Sequence, residues 1–231
     1  MHNNLILTFD VEEWYHANYP GYDYTSNTSG IVRLPELLPR IVDLLLEQES
    51  RATFFVLGEI AQKFPALIRS LSDSGFPVAC HSMTHRLHRE MELDEILAEA
   101  RTGKDVIEDI TGRKVRGFRA PCFAIDEGVL NTYAEILPEL GYEYDSSLVP
   151  VRFTNGGFSN MPDIPFSVGR LIEFPIGVYS GLGMGIPSTG ACFRMLPETV
   201  LNRKIKHIDR PFVLYLHPKD LDAENPILET G

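Results

Sequence analysis

Apolar runs of strand length alternate with stretches of helical period along most of this chain, and that alternation restricts its fold more than any other feature. LILTF (5–9), ATFFVLG (52–58), FPVAC (76–80) and VRGF (115–118) read as buried strands. Between them, Leu34, Leu37, Leu38, Ile41, Leu44 and Leu45 recur at threes and fours, as do Ile60, Phe64, Leu67, Ile68 and Leu71. Leu93, Ile96, Leu97, Ala100, Ile107 and Ile110 predict a third helix, residues 126–140 a fourth, and 196–208 a later one. With YEYD, LIEF and PFVLYLH the strand count reaches about seven. Strand and helix in repetition imply right-handed crossovers and a parallel sheet covered by helices. Residues 150–170 and 177–190, rich in Gly, Pro, Ser and Asn, read as long loops within one domain, because the strand pattern resumes after each.

The strand ends favour a barrel over an open sheet. Asp10 follows LILTF, His81 follows FPVAC, Arg119 follows VRGF, Asp145 ends YEYD and His217 ends PFVLYLH. In a parallel barrel those C-terminal ends share one rim, where a site is assembled from several strands at once. The first end is the most demanding, since TFDVEEWYH places three carboxylates, an indole, a phenol and an imidazole directly after a core strand. An isolated charge taken out of water costs several kcal/mol, so a buried carboxylate here needs a cation or a metal.

HSMTH (81–85) offers such a partner. Two imidazoles four apart on one face of a helical turn can hold one ion. Alternation along the strand turns Asp10 and Glu12 to one side and Val11 to the other. One carboxylate can then act as ligand and the other as base, and two histidines with a carboxylate make a good catalytic zinc set. Glu13 and His16 read as part of a solvated acidic loop, and they stand next in line if Glu12 is not the third ligand. Trp14, Tyr15, Tyr19, Tyr22 and Tyr24 form an aromatic cluster beside these residues, able to pack a loop or to stack on the ring of a ligand.

A net charge of −11 with no basic run argues against nucleic acid and against an anionic membrane surface as partner. No stretch approaches the roughly 18 apolar residues of a membrane span, and MHNNLILTFD lacks the basic start and long apolar run of a secretory leader. Cys80, Cys122 and Cys192 are an odd, scattered set without CxxC spacing. The expected location is the cytoplasm.

TFDVE, ATFFVLG, HSMTH, GFRAP, YDSS and LYLHP stand in an order and approximate spacing that resembles the polysaccharide deacetylases, the NodB-homology or carbohydrate esterase family 4 group, over residues 5 to about 222. The later stretch, EFPIGVYS through CFRMLP to LYLHPKDLD, resembles the branch associated with exopolysaccharide biosynthesis. The resemblance implies a (β/α)7 distorted TIM-like barrel, a divalent metal, usually Zn2+, and hydrolysis of N-acetyl groups from an amino-sugar glycan. It makes Asp10 the base, His81 and His85 metal ligands, Arg119 the partner of the base, Asp145 the carboxylate that orients the acid, and His217 the acid. The family carries a second aspartate directly after the base, where this chain has Val11; the strand alternation assigns that ligand to Glu12. Pro121 and Cys122 fall in the block that supplies a backbone N–H to the oxyanion, with Cys122 where tyrosine is common. Trp14 and Tyr15 are the expected substrate contacts. Two other readings stay open: an amidohydrolase acting on a non-sugar amide or cyclic imide, and an inactive carbohydrate-binding protein. The chain ends soon after the last block, so a substrate wall or a homo-oligomer contact supplied by another subunit is also expected.

Overall fold

The computed structural model describes residues 4–18, 22–26, 29–152, 157–158, 161–181 and 184–226. The alternation read from the sequence becomes β1 (Leu5–Val11), α1 (Leu34–Glu47), β2 (Ala52–Val56), α2 (Gly58–Lys63), α3 (Pro65–Asp73), β3 (Val78–Cys80), α4 (Leu93–Thr111), β4 (Gly117–Phe118), α5 (Glu127–Glu139) and β5 (Tyr144–Asp145). It continues through β6 (Phe166–Val168), β7 (Leu171–Glu173), β8 (Val178–Gly181), β9 (Met184–Pro187), α6 (Gly190–Met195), α7 (Glu198–Lys206) and β10 (Phe212–Leu216).

One mixed sheet runs in the order β10-β1-β2-β3-β4-β5-β7-β6. Every neighbour from β10 to β7 is parallel, and only β6 joins antiparallel. Just past β7, Ile176 makes a parallel bridge to Val213 of β10, and the Gly177 N–H donates to the Val213 carbonyl at 2.9 Å. The sheet therefore curls until its far end returns to β10, the partly closed form of the expected seven-stranded barrel. β8 and β9 form a separate hairpin. This hairpin and β6 lie within the two stretches expected to be loops.

Along β1 and β2, Phe9, Val11, Phe54 and Val56 pack outward into the core with Leu34, Leu38 and Ile41 of α1. Asp10 takes the alternate face, as the period of two requires. The stripe expected over residues 60–71 is two helices, because Phe64 precedes Pro65 and adopts φ −129°, ψ 56°, outside the helical region. No side chain of its own caps α1. Glu13, in the loop after β1, does so from a distance: its carboxylate accepts from the Arg33 and Leu34 N–H groups at 3.0 Å.

α4 approaches β3 closely. A Cβ added at Gly103 would lie 2.8 Å from the Ser82 carbonyl group and 2.9 Å from Cys80 Sγ. Helix propensity alone makes Gly103→Ala stabilising by about 1 kcal/mol. We expect the reverse, a loss of about 1–3 kcal/mol in urea unfolding, because the added methyl drives the helix off the backbone that carries His81.

Candidate active site

The strand ends converge as the barrel geometry demands. Asp10, at the end of β1, is buried, and its Oδ1 accepts from Arg119 Nη1 at 2.7 Å. Arg119 is fully buried just beyond β4, and its other donors reach Thr8 Oγ1, the Ser146 carbonyl and Ser146 Oγ at 2.8–3.0 Å. Its guanidinium carbon sits 3.9 Å from the centre of the Phe55 ring.

Glu12 lies over the same opening, and one donor atom each from Glu12, His81 and His85 fall within 4.8 Å of one another. Glu12 Oε2 lies 2.7 Å from His85 Nε2 and makes no well-aligned hydrogen bond. The Nδ1 atom of His81 meets the Arg119 carbonyl at 2.9 Å, which leaves Nε2 as the free donor. His85 Nδ1 meets the Asn18 amide at 3.0 Å. Buried nitrogen and carboxylate donors with an unpartnered oxygen among them suit a divalent ion such as zinc. Burial pushes the His81 imidazole down to about 4, against the opposing pull of Asp10, so this ring is neutral and ready to ligate at neutral pH. Burial alone would raise the Glu12 carboxyl, but Lys219, His85 and His217 hold it well below its usual range.

HSMTH is not a helical turn. It is a bend in which Ser82 takes the left-handed conformation, φ 72°. Glu99 of α4 fixes it, accepting from Ser82 Oγ, from the Met83 and Thr84 N–H groups and from Thr84 Oγ1 at 2.7–3.0 Å. Four bonds to one carboxylate make the bend the stable local structure, and Glu99 carries no sequence signal beyond being polar on α4.

His217 follows β10. Its Nδ1 meets Asp220 Oδ2 at 3.2 Å, and its Nε2 meets the Tyr215 hydroxyl at 2.7 Å and Glu12 Oε1 at 3.3 Å. The carboxylate on His217 is therefore Asp220, three residues on, and not Asp145. Asp145 instead accepts from Ser147 Oγ at 2.6 Å and lies beside Glu173 on the neighbouring strand, whose Oε1 accepts from the Leu148 N–H at 2.9 Å. Burial, shared between two carboxyls, raises both. Gly190 makes room for Asp220, since a Cβ there would fall on the carboxylate.

Lys219 was not anticipated either: its Nζ donates to Glu12 Oε1 at 2.6 Å. The HPKD run that carries Lys219 and Asp220 beside His217 was the available signal.

Glu13 and His16 are buried rather than solvated. Glu13 is engaged by α1, while His16 accepts from the Glu13 N–H and faces Glu59 Oε1 at 3.3 Å, so neither is placed to ligate. Trp14 is buried, with its indole N–H on the Ile31 carbonyl, which makes it a packing residue. Tyr15 is half-buried, and its hydroxyl accepts from Lys63. Tyr19 lies outside the described residues. Pro121 opens a short 3-10 turn, Pro121–Phe123, in which Cys122 has φ 55°. Burial pushes the Cys122 thiol up to about 11, the opposite of an activated nucleophile.

The family model for polysaccharide deacetylases matches residues 3–144, so the chain belongs to that family. A second model, described as a domain of unknown function, matches residues 146–230. A chitooligosaccharide deacetylase of Azorhizobium caulinodans is 29% identical over 103 residues, 44% of this chain and 49% of that protein. Chitin deacetylase 1 of Cryptococcus neoformans is 27% identical over 146 residues, 62% of this chain and 30% of that protein. The chain thus spans half or less of the length of these curated relatives. A structure from Mycobacterium smegmatis assigned to the polysaccharide deacetylases superposes with a TM-score of 0.65 at 25% identity, over 93% of this chain and 76% of that one. Among the described residues no helix is long and apolar enough to cross a membrane.

The buried histidines give the fold a pH dependence of known sign. Burial pushes His88, bonded to Ser82 and Tyr133, and His16, beside Glu59, down to about 3. The unfolded chain takes up these protons first, near pH 6.5, so the stabilisation is complete above that value and drains as pH falls toward 3. Each histidine contributes about 1.4 kcal/mol per pH unit in that window. Urea unfolding between pH 6.5 and 4.5 is expected to show a slope that His88→Gln reduces by about one proton.

Proposed function

We propose that the chain is a metal-dependent hydrolase that removes N-acetyl groups from amino sugars of a polysaccharide or its precursor, with zinc as the ion. The observation that carries this reading is the convergence of Glu12, His81 and His85 beside the Asp10–Arg119 pair and His217. Membership of the family and the names of the matched deacetylases support the substrate class.

A divalent ion held by Glu12, His81 and His85 would polarise the acetyl carbonyl and lower the pKa of a water. Asp10, fixed in its ion pair with Arg119, takes the proton of the attacking water. The Cys122 N–H, in the turn after Arg119, is the backbone donor assigned to the developing oxyanion. His217 protonates the leaving amine, which must depart neutral or the tetrahedral adduct collapses back. Asp220 on Nδ1 sets the ring so that Nε2 points toward Glu12. Lys219 balances the charge of Glu12. A base and an acid in opposite protonation states give a bell-shaped pH profile.

The test pairs metal content with turnover. Wild type should hold about one zinc and deacetylate an N-acetylglucosamine oligomer, whereas Glu12→Ala and His81→Ala should lose the metal and at least about a hundredfold in activity. Asp220→Asn should keep the metal and lower kcat about ten- to a hundredfold. Turnover of small amides or cyclic imides in preference to the oligomer would move the substrate class. Wild type without metal at micromolar zinc would overturn the hydrolase reading in favour of an inactive carbohydrate-binding protein.

A further inference from the structure

The barrel interior has a second chamber, at the end opposite the candidate active site. It is a cavity of about 480 Å³ that opens among the αβ loops, at the N-terminal ends of the strands. Its walls are the inward-facing residues Ile6, Phe55, Tyr144, Phe174 and Val213. The volume lies within the range of small-molecule sites, and the lining has the apolar, aromatic character of such sites.

The chamber's inner end lies beneath the Arg119 layer, where Thr8 and Ser146 are already engaged. Thr8 Oγ1 donates to the Leu214 carbonyl and accepts from Arg119; Ser146 Oγ donates to the Phe174 carbonyl and accepts from Arg119. Thr53 and Tyr144 add hydroxyls to the wall, but its greater part is apolar, which favours an apolar body over a sugar or a chain of waters.

The mouth has the opposite character. Arg113, Lys114 and Arg116 line it, three exposed cations within four consecutive positions of a chain whose net charge is −11. The acidic groups nearby are engaged: Glu143 lies 3.5 Å from Arg116, and Glu108 takes Lys104. Arg113 and Lys114 make no ion pair among the described residues. A cationic rim over an apolar chamber complements one chemistry, a compact apolar body that ends in a single anionic group.

We propose that this chamber binds a free amphipathic anion of the medium-chain carboxylate class, its apolar chain between Ile6, Phe55 and Val213 and its carboxylate at Arg113 and Lys114. The site is separate from the candidate active site and needs no metal. Phe55 forms one wall of the chamber and also carries the Arg119 guanidinium, so an occupant touches the underside of the layer that holds Asp10.

Calorimetric titration of the full chain with octanoate, in the presence of chelator, tests the proposal without reference to hydrolysis. Saturable binding with a stoichiometry near one is expected. Arg113→Ala with Lys114→Ala, both at exposed positions, should weaken octanoate about tenfold while leaving the neutral analogue octanol unchanged. Ile6→Trp, which fills the chamber, should remove both ligands. Absence of octanoate binding at millimolar concentration would overturn the proposal, as would binding that the double variant leaves intact. If Ile6→Trp fails to fold, the double variant and the octanol comparison still decide.

Discussion

The Arg119 guanidinium is the interaction on which the rest of the structure depends. A charge buried this deeply is tolerated only if its donors are met and a counter-charge is close, and both are supplied by other strands. Thr8 and Asp10 come from β1, Ser146 from just beyond β5, and the face of the group rests on Phe55 of β2. Three strand ends and the start of a turn are thereby held at fixed spacing. The same carbonyl that closes the residue's backbone, Arg119 O, orients His81. One residue thus fixes both Asp10 and His81.

Charge balance explains why so many ionisable groups fit in one buried opening. Asp10 is matched by Arg119 and Glu12 by Lys219, while burial keeps His81 and His16 neutral. A site with paired carboxylates and a neutral His81 suits a dication, which need not displace a proton from that ring. Lys219 bonds the Glu12 oxygen that does not face His85, so the two oxygens of one carboxylate have separate tasks. The longer arm of glutamate makes this division available one position further from the strand than an aspartate directly after the base would stand.

Much of this was legible in the sequence because it follows from period. The threes and fours of α1 and α4 and the apolar runs of β1, β2 and β10 mark buried faces directly, and alternation along TFDVE turns Asp10 and Glu12 inward with Val11 in the core. Features decided by a distant partner were not legible. The bend at HSMTH depends on Glu99, and the burial of Glu13 depends on the open N-terminus of α1, twenty residues away. β6 and the β8–β9 hairpin were hidden in Gly- and Pro-rich segments whose pairing is an edge ladder and an isolated turn, neither of which needs a buried apolar run. Asp145 and Asp220 are both acidic residues near strand ends. Only the fold shows that the first turns to Glu173 and the second to His217.

The division between the two matched family models falls at β5, yet neither the sheet nor the site respects it. β7 and β10 belong to the second stretch, and β10 pairs with β1 from Leu5↔Phe212 to Phe9↔Leu216. Without the second stretch, β1 would be an exposed parallel edge beside the most buried part of the barrel, a configuration that leaves a row of backbone groups without partners. It would also lose His217, Lys219 and Asp220 together, and Glu12 would keep its charge in a buried position with no ammonium against it. The segment whose family has no assigned function therefore supplies here His217, the counter-charge of Glu12 and the closing strand. The first stretch supplies Asp10, Glu12, His81 and His85, and neither half holds the whole cluster.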